Sequence, residues 1–229
     1  MITCDVKGSV ARVTIRRPGE GNALTSDLVR KLRDTFRELS GAAVVALTGE
    51  GADFCLGRDR HEPKSGTPYD AFSVVSDLNA AVAELPGVFI SAVRGRARGL
   101  GVGLVMRSDL AIASDEATFA LDEVAHGIPP MFIMSVIGEH LAPKQALDAV
   151  LTGREIDAAT ALRMGLVSRL VPAASLESTV DSLVTELAAR DPAVLSACKR
   201  YFQALGSVPV QARPAFALVE QTKFTTPKH

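Results

Sequence analysis

Polar and apolar positions alternate through the first fifteen residues, MITCDVKGSVARVTI, and the alternation breaks at Lys7-Gly8-Ser9. A period of two puts Val13 and Ile15 on one face, so the pattern predicts two short strands joined as a hairpin. Pro18, Gly19 and Gly21 interrupt it. Leu28, Leu32, Phe36 and Leu39 then recur at helical spacing, with Thr25 or Ser26 as N-cap, Asp27 in the first turn and Gly41 as the stop. Residues 43–47 (AVVAL) and 88–93 (VFISAV) are unbroken apolar runs suited to strands buried on both faces, and hence to a parallel sheet. Each opens into a glycine-rich connection, 49–57 and 94–104 (RGRARGLGVGL). Between them Phe72, Val75, Leu78 and Val82 predict an amphipathic helix over 69–85, stopped by Pro86-Gly87, and a further strand is predicted over 110–113.

Beyond about residue 131 the punctuation is helical. Pro143 starts a helix and Gly153 ends it, Asp157 caps the next and Gly165 stops it. Two more follow over 176–189 and 192–205, the latter with Asp191 as N-cap and Gly206 past its end. Strands and helices alternate first and helices dominate later, which gives an α/β body with a helical C-terminal part. Residues 64–68 read as a polar loop rather than a domain linker.

With 229 residues, 47% of them hydrophobic and 22% charged, the chain has the profile of a globular protein with a sizeable core. A formal net charge of −1 gives no general attraction to nucleic acid or to a membrane surface. Cys4, Cys55 and Cys198 cannot all pair and lack metal-ligand spacing, so a cytoplasmic location is expected. The N-terminus has no apolar h-region and no run of 18 apolar residues exists, so neither a signal peptide nor a membrane span is expected. His61, His126, His140 and His229 are scattered and form no H-E-x-x-H, which argues against a metal site.

The second connection contains Gly99, Gly101 and Gly103, but Leu104 stands where the dinucleotide fingerprint needs its third glycine, and no Walker A or G-x-S-x-G pattern occurs. Either connection alone reads as an ordinary tight turn, or as a place where main-chain N–H groups approach a ligand. Taken together, the blocks resemble a family. Arg17-Pro18 followed by Asn22-Ala23-Leu24, residues 51–59 (GADFCLGRD), residues 94–104 followed by Ser108-Asp109, residues 119–130 (FALDEVAHGIPP), and Thr152-Gly153-Arg154 with 164–167 (MGLV) are similar, in order, to the motifs of the enoyl-CoA hydratase/isomerase (crotonase) superfamily.

This resemblance implies a crotonase-like spiral of ββα units with a helical C-terminal part. It implies a single domain over 1–229, with about 1–190 as spiral core and about 191–229 as a C-terminal trimerisation part, shorter than usual. It implies an acyl-CoA thioester as ligand, with coenzyme A part of the substrate and no separate cofactor, and a homotrimer or dimer of trimers. The family's two oxyanion N–H groups map onto Arg58 and Leu100. Because a leucine at positive φ is strained, Leu100 is expected in a β or α conformation. Ala23, Leu56, Arg58, Asp59, Arg60, His61 and Leu100 are expected to border the CoA. Family members usually continue past an E-x-x-x-F element, here Glu220 and Phe224, with a helix that helps close that site. The chain stops at His229, so a more open adenine end, or closure by a neighbouring subunit, is expected.

A standard hydratase of the family uses two glutamates. The position of the first is Gly103 here, and the second matches Glu123, which makes Glu123 the candidate acid/base, with Asp122 the alternative carboxylate. Like charge from Asp122 would raise the pKa of Glu123 if both were buried. His126 is read as pocket lining or as structural. One carboxylate suits proton transfer between two carbons, so the resemblance points to isomerisation or non-standard hydration. The alternatives are a catalytically inactive acyl-CoA-binding homologue and a CoA-ester hydrolase, decarboxylase or hydratase-lyase. Arg94, Arg96 and Arg98 beside the second connection, and Arg58 and Arg60 beside the first, read either as a field for an anionic ligand or as solvated arginines.

Overall fold

The computed structural model describes residues 1–63 and 66–225. The polar loop predicted over 64–68 lies partly outside them, as does the end of the C-terminal part at His229. The first half runs β1 (Ile2–Lys7), β2 (Val10–Ile15), α1 (Ser26–Glu38), β3 (Val44–Gly49), α2 (Pro68–Ala83), β4 (Val88–Val93), β5 (Arg96–Arg98), α3 (Leu100–Arg107), β6 (Leu110–Ser114) and β7 (Thr118–Ala120). The second half runs α4 (Met131–Ile137), α5 (Pro143–Thr152), β8 (Ile156–Asp157), α6 (Ala158–Met164), β9 (Arg169–Val171), α7 (Leu176–Ala188), α8 (Pro192–Ala204) and α9 (Arg213–Thr225).

β1 and β2 form the expected antiparallel hairpin, closing at Lys7 opposite Val10. From β2 the main sheet continues through β3, β4, β6 and β9, every pairing parallel. β3 and β4 are covered on both faces, which is why their sequences lack alternation. One face meets Leu32, Phe36, Leu78 and Val105, with Phe36 edge-on to Phe89 at 5.3 Å between ring centres. The other meets Leu176, Val180, Leu183 and Val184 of α7.

A second sheet, ordered β5-β7-β8, stands beside the first. β4 leads into β5 and α3, β6 into β7 and α4, and β3 into an isolated bridge between Cys55 and Ala97 before α2. This is the ββα spiral: a long strand, a short strand in the other sheet, then a helix. Thr25 caps α1 by accepting the Leu28 N–H at 3.3 Å, and Thr67 and Asp70 form a reciprocal cap on α2. α1 ends at Glu38, three residues before Gly41.

Two features depart from the sequence pattern. Phe72, expected on the buried stripe of α2, is 47% exposed; it sits near the N-terminal end of the helix and meets Phe132 of α4 at 6.2 Å instead of the core. The second glycine-rich connection is not a loop. It contains β5 and the first five residues of α3, whose glycines are poor helix formers and which is held by the burial of residues 100–106.

Gly153 and Gly165 end α5 and α6 as expected, and Asp157 and Asp191 cap α6 and α8. α8 is pinned by Lys199, whose Nζ donates to the Gly87 carbonyl at 2.9 Å and pairs with Asp109 at 2.8 Å. Among the described residues no helix is long and apolar enough to cross a membrane.

Candidate active site

The two connections, the first continuing through His61, lie side by side. The Phe54 and Cys55 N–H groups donate to the Arg96 carbonyl at 3.1 and 3.2 Å, and the Arg98 N–H donates to the Cys55 carbonyl at 2.9 Å. Beyond this ladder Gly57 lies against the second connection: a Cβ there would stand 3.3 Å from the Leu100 amide nitrogen. A Cβ on Gly101 would collide with the Cys55 carbonyl oxygen, so the approach requires glycine.

On its other side the first connection pairs with residue 24. The Leu24 N–H donates to the Gly57 carbonyl at 2.8 Å and the Asp59 N–H to the Leu24 carbonyl at 2.9 Å. Main-chain groups alternate in direction along an extended segment, so the Arg58 N–H between them faces away from Leu24. Leu100 is the first residue of α3, where N–H groups have no partner within the helix and the helix dipole is positive. Leu100 is thus helical; Gly99, at φ 48°, takes the backbone conformation that a leucine avoids. Among the described residues neither the Arg58 nor the Leu100 N–H has a protein acceptor.

Glu123 follows Asp122 in a short 3-10 turn, Glu123–His126. Its Oε1 lies over Gly99, 2.9 Å from where a Cβ would stand, and its Oε2 is buried without a hydrogen-bond partner. Burial raises its pKa against the pull of its own N–H, the Asp122 charge raises it further, and Arg60 opposes that rise. A Cβ at Gly103, one turn into α3, would stand 3.7 Å from Ile133 Cγ1.

The arginines are mostly committed to the protein. Arg96 makes a two-point pair with Asp53, Arg98 pairs with Glu155, and Arg94 lies 3.7 Å from Glu177. The alternation of arginines at 94, 96 and 98 therefore serves internal pairing rather than a free cationic field. The Arg58 guanidinium points away from the amides, donating to the Ala71 carbonyl and the Ser26 hydroxyl at 2.9 Å each and pairing with Glu62 at 3.2 Å. Burial opposes ionisation of Glu62, but the Ser26 N–H and hydroxyl and Arg58 hold it below the usual carboxylate value. Asp59, also opposed by burial, is held down by Arg17 at 2.7 Å and by the His61 N–H. Arg60 reaches Asp122 Oδ1 at 2.9 Å and His126 Nε2. Ala23 gives its carbonyl to Arg17, Leu56 packs on Gly21, and the His61 residue is exposed.

The sequence blocks thus bring together Arg58, Leu100 and Glu123, with Leu56, Asp59, Arg60 and His61 along the first connection and Ala23 beside it. The contacts of Glu62 with Ser26, of Arg60 with Asp122 and of Ile133 with Gly103 were missed. The four-residue interval between Arg58 and Glu62 is the one signal among them. A cavity of about 520 Å³ lies on the α7 side of the sheet, where the pairs Arg12–Asp181 and Arg94–Glu177 occupy its charged rim; none of the three converging residues lines it. Among the described residues no three His, Cys, Asp or Glu side chains are grouped to hold a metal ion.

The model of a family described as enoyl-CoA hydratase/isomerase matches residues 5–227. A probable enoyl-CoA hydratase of Mycobacterium leprae is 36% identical over 185 residues, covering 78% of this chain and 71% of that protein. A hydroxycinnamoyl-CoA hydratase-lyase of Pseudomonas fluorescens is 29% identical over 214 residues, covering 88% and 78%. The crystal structure of a putative enoyl-CoA hydratase from Thermobifida fusca in complex with CoA superimposes with a TM-score of 0.88 at 30% identity, covering 97% of this chain and 91% of that one.

Proposed function

Because this chain belongs to the enoyl-CoA hydratase/isomerase family, we propose that it moves a proton on an acyl-CoA thioester with Glu123 as its one acid/base, isomerising an enoyl-CoA or hydrating it without a second glutamate. The Arg58 and Leu100 N–H groups receive the thioester oxygen. In the isomerisation, the Glu123 carboxylate takes a proton from C2 of a 3-enoyl-CoA. The electron pair forms a C1–C2 double bond and charge moves onto the thioester oxygen. Protonated Glu123 then delivers its proton to C4, the double bond settles between C2 and C3, and the carbonyl re-forms.

The observation that carries this reading is a single carboxyl, with one oxygen buried and unpartnered, set over the start of α3 while apolar Ile133 faces the Gly103 position. Burial that raises the proton affinity of Glu123 suits a group that both accepts and returns a proton. Each oxyanion donor is expected to contribute about 3–4 kcal/mol to the barrier reduction. The CoA would run along Ala23, Leu56 and His61. The side chains of Arg58 and Asp59 are engaged within the protein, so those two residues would act through their main chain.

Incubation with a 3-enoyl-CoA should create the absorbance of the conjugated thioester, and hydration of a 2-enoyl-CoA should remove it. Glu123→Gln is expected to lower turnover of the better substrate at least a hundredfold. Unchanged turnover in that variant rejects the assignment, and binding without turnover of either substrate favours a homologue without chemistry. Hydratase-lyase activity is the second reading, favoured by the likeness to the Pseudomonas fluorescens protein. Formation of an aldehyde from an aromatic enoyl-CoA would select it. The reading includes one domain assembled as a homotrimer or dimer of trimers, supported by Phe202, Leu218 and Val219, which α8 and α9 expose. A monomer in analytical ultracentrifugation would reject that assembly.

A further inference from the structure

Arg60 spans 62 residues of sequence to reach the turn that carries Glu123. Its Nη2 donates to Asp122 Oδ1 at 2.9 Å and its Nη1 meets His126 Nε2, so it grips both ends of the Glu123–His126 turn at once. His126 in turn lies 3.8 Å from Asp122. The turn needs such a grip. Glu123 makes no side-chain hydrogen bond through its buried Oε2, and residues 124–129 are all exposed. Arg60 itself belongs to the first connection, two residues after Arg58, and Asp59 between them is fixed by Arg17. A single guanidinium therefore links the segment bearing one main-chain N–H to the segment bearing the carboxyl. Its side chain is 46% exposed, so it is not there to fill the core.

We propose that Arg60 is a positioning residue, whose guanidinium holds the Asp122–His126 turn against the first connection and so sets Glu123 over the Leu100 amide. This rests on the reading of Glu123 as acid/base. The charge around Glu123 sharpens it. Asp122 and His126 stand on the same turn, and Arg60 faces them from the first connection. From the second connection Arg98 is spent on Glu155, and on α5, which packs against the turn, Asp148 is spent on Arg154 while Lys144 is exposed. Asp122 and Arg60 are thus the opposing charges nearest the carboxyl, and removing either leaves the other uncompensated.

Two substitutions that break the same contact should therefore act alike on rate and oppositely on pH. Arg60→Ala and Asp122→Asn are each expected to lower kcat about tenfold, because a misplaced reacting group is costly, with little change in KM. The acid limb of the kcat profile should move up in Arg60→Ala, where the Asp122 charge is left alone, and down in Asp122→Asn, where the cation is left alone. Arg60→Lys should restore the limb but only part of the rate, since an ammonium reaches Asp122 without the second arm for His126. Titration of the Glu123 carboxyl by carbon-13 NMR, its signal identified by its loss in Glu123→Gln, should give the same two opposite shifts without any substrate. A raised KM with an unmoved acid limb in Arg60→Ala would overturn the proposal and make Arg60 a ligand for the CoA. Shifts in the NMR titration with full turnover in Glu123→Gln would instead overturn the role of Glu123, and with it the purpose of the grip.

Discussion

The two glycine-rich connections each present one main-chain N–H, and the surroundings of that N–H are held in different ways. The first is tied down by side chains: Arg58 to Ser26, Glu62 and Ala71, Asp59 to Arg17, and Asn22, whose amide donates to the carbonyls of Glu50 and Asp53. The second is also tied by Arg96 to Asp53 and by Arg98 to Glu155, but at its N–H it is held by the absence of side chains. Gly99 takes the unusual backbone angle and Gly101 lets α3 begin against the Cys55 carbonyl. A donor held by many partial ties should weaken gradually when one is cut. A donor held by close main-chain approach should fail at once when a methyl group intervenes.

The sharpest way to break this contrast is Gly101→Ala. The added carbon runs into the Cys55 carbonyl and Cβ, which no change of rotamer can move aside, so a loss of about 3 kcal/mol in urea unfolding is expected, together with about a hundredfold loss of kcat/KM. Gly103→Ala, two residues on, meets only ordinary contact with Ile133, and helix propensity should leave stability equal or up to about 1 kcal/mol higher. Equal damage from the two would refute the distinction. Next in size is Arg58→Met, which cuts three ties of the first connection but leaves its N–H in place. A stability loss of about 1–2 kcal/mol is expected with kcat/KM reduced less than tenfold, measured on the same preparations.

The carboxylates repeat the contrast with opposite signs. Asp59 and Glu62 are held below their usual values, so their contribution to stability is full above the unfolded carboxylate pKa and is lost as pH falls through their folded values. Glu123 is raised, so its ionisation costs stability, and that cost grows as pH rises from the unfolded value through its folded one. The smallest expected effect is thus a gain: Glu123→Gln should be about 1 kcal/mol more stable than the parent at neutral pH and no more stable in acid, by thermal unfolding at the two pH values.

What was legible in the sequence follows the same physics. β3 and β4 stood out because strands covered on both faces leave unbroken apolar runs, and the caps at Thr25, Asp157 and Asp191 because those side chains act within three residues. α3 was hidden because two of its first four residues are glycines and its stability comes from burial rather than propensity. β5 and β7, three residues each, are too short to show a period. Phe72 obeyed the spacing of a buried stripe, yet position along the helix decided its contacts. In the site, Arg58, Leu100 and Glu123 were found only because several blocks resembled one family in order. The tie from Arg60 to Asp122 was invisible, since nothing local in a chain announces a contact 62 residues away.

The unpartnered oxygen of Glu123 has a consequence for isotopes. In the proposed isomerisation, a proton taken up on that buried oxygen, which no other donor reaches, exchanges slowly with the solvent. The hydrogen removed from C2 is then the one returned to C4, and product formed in heavy water would remain largely light.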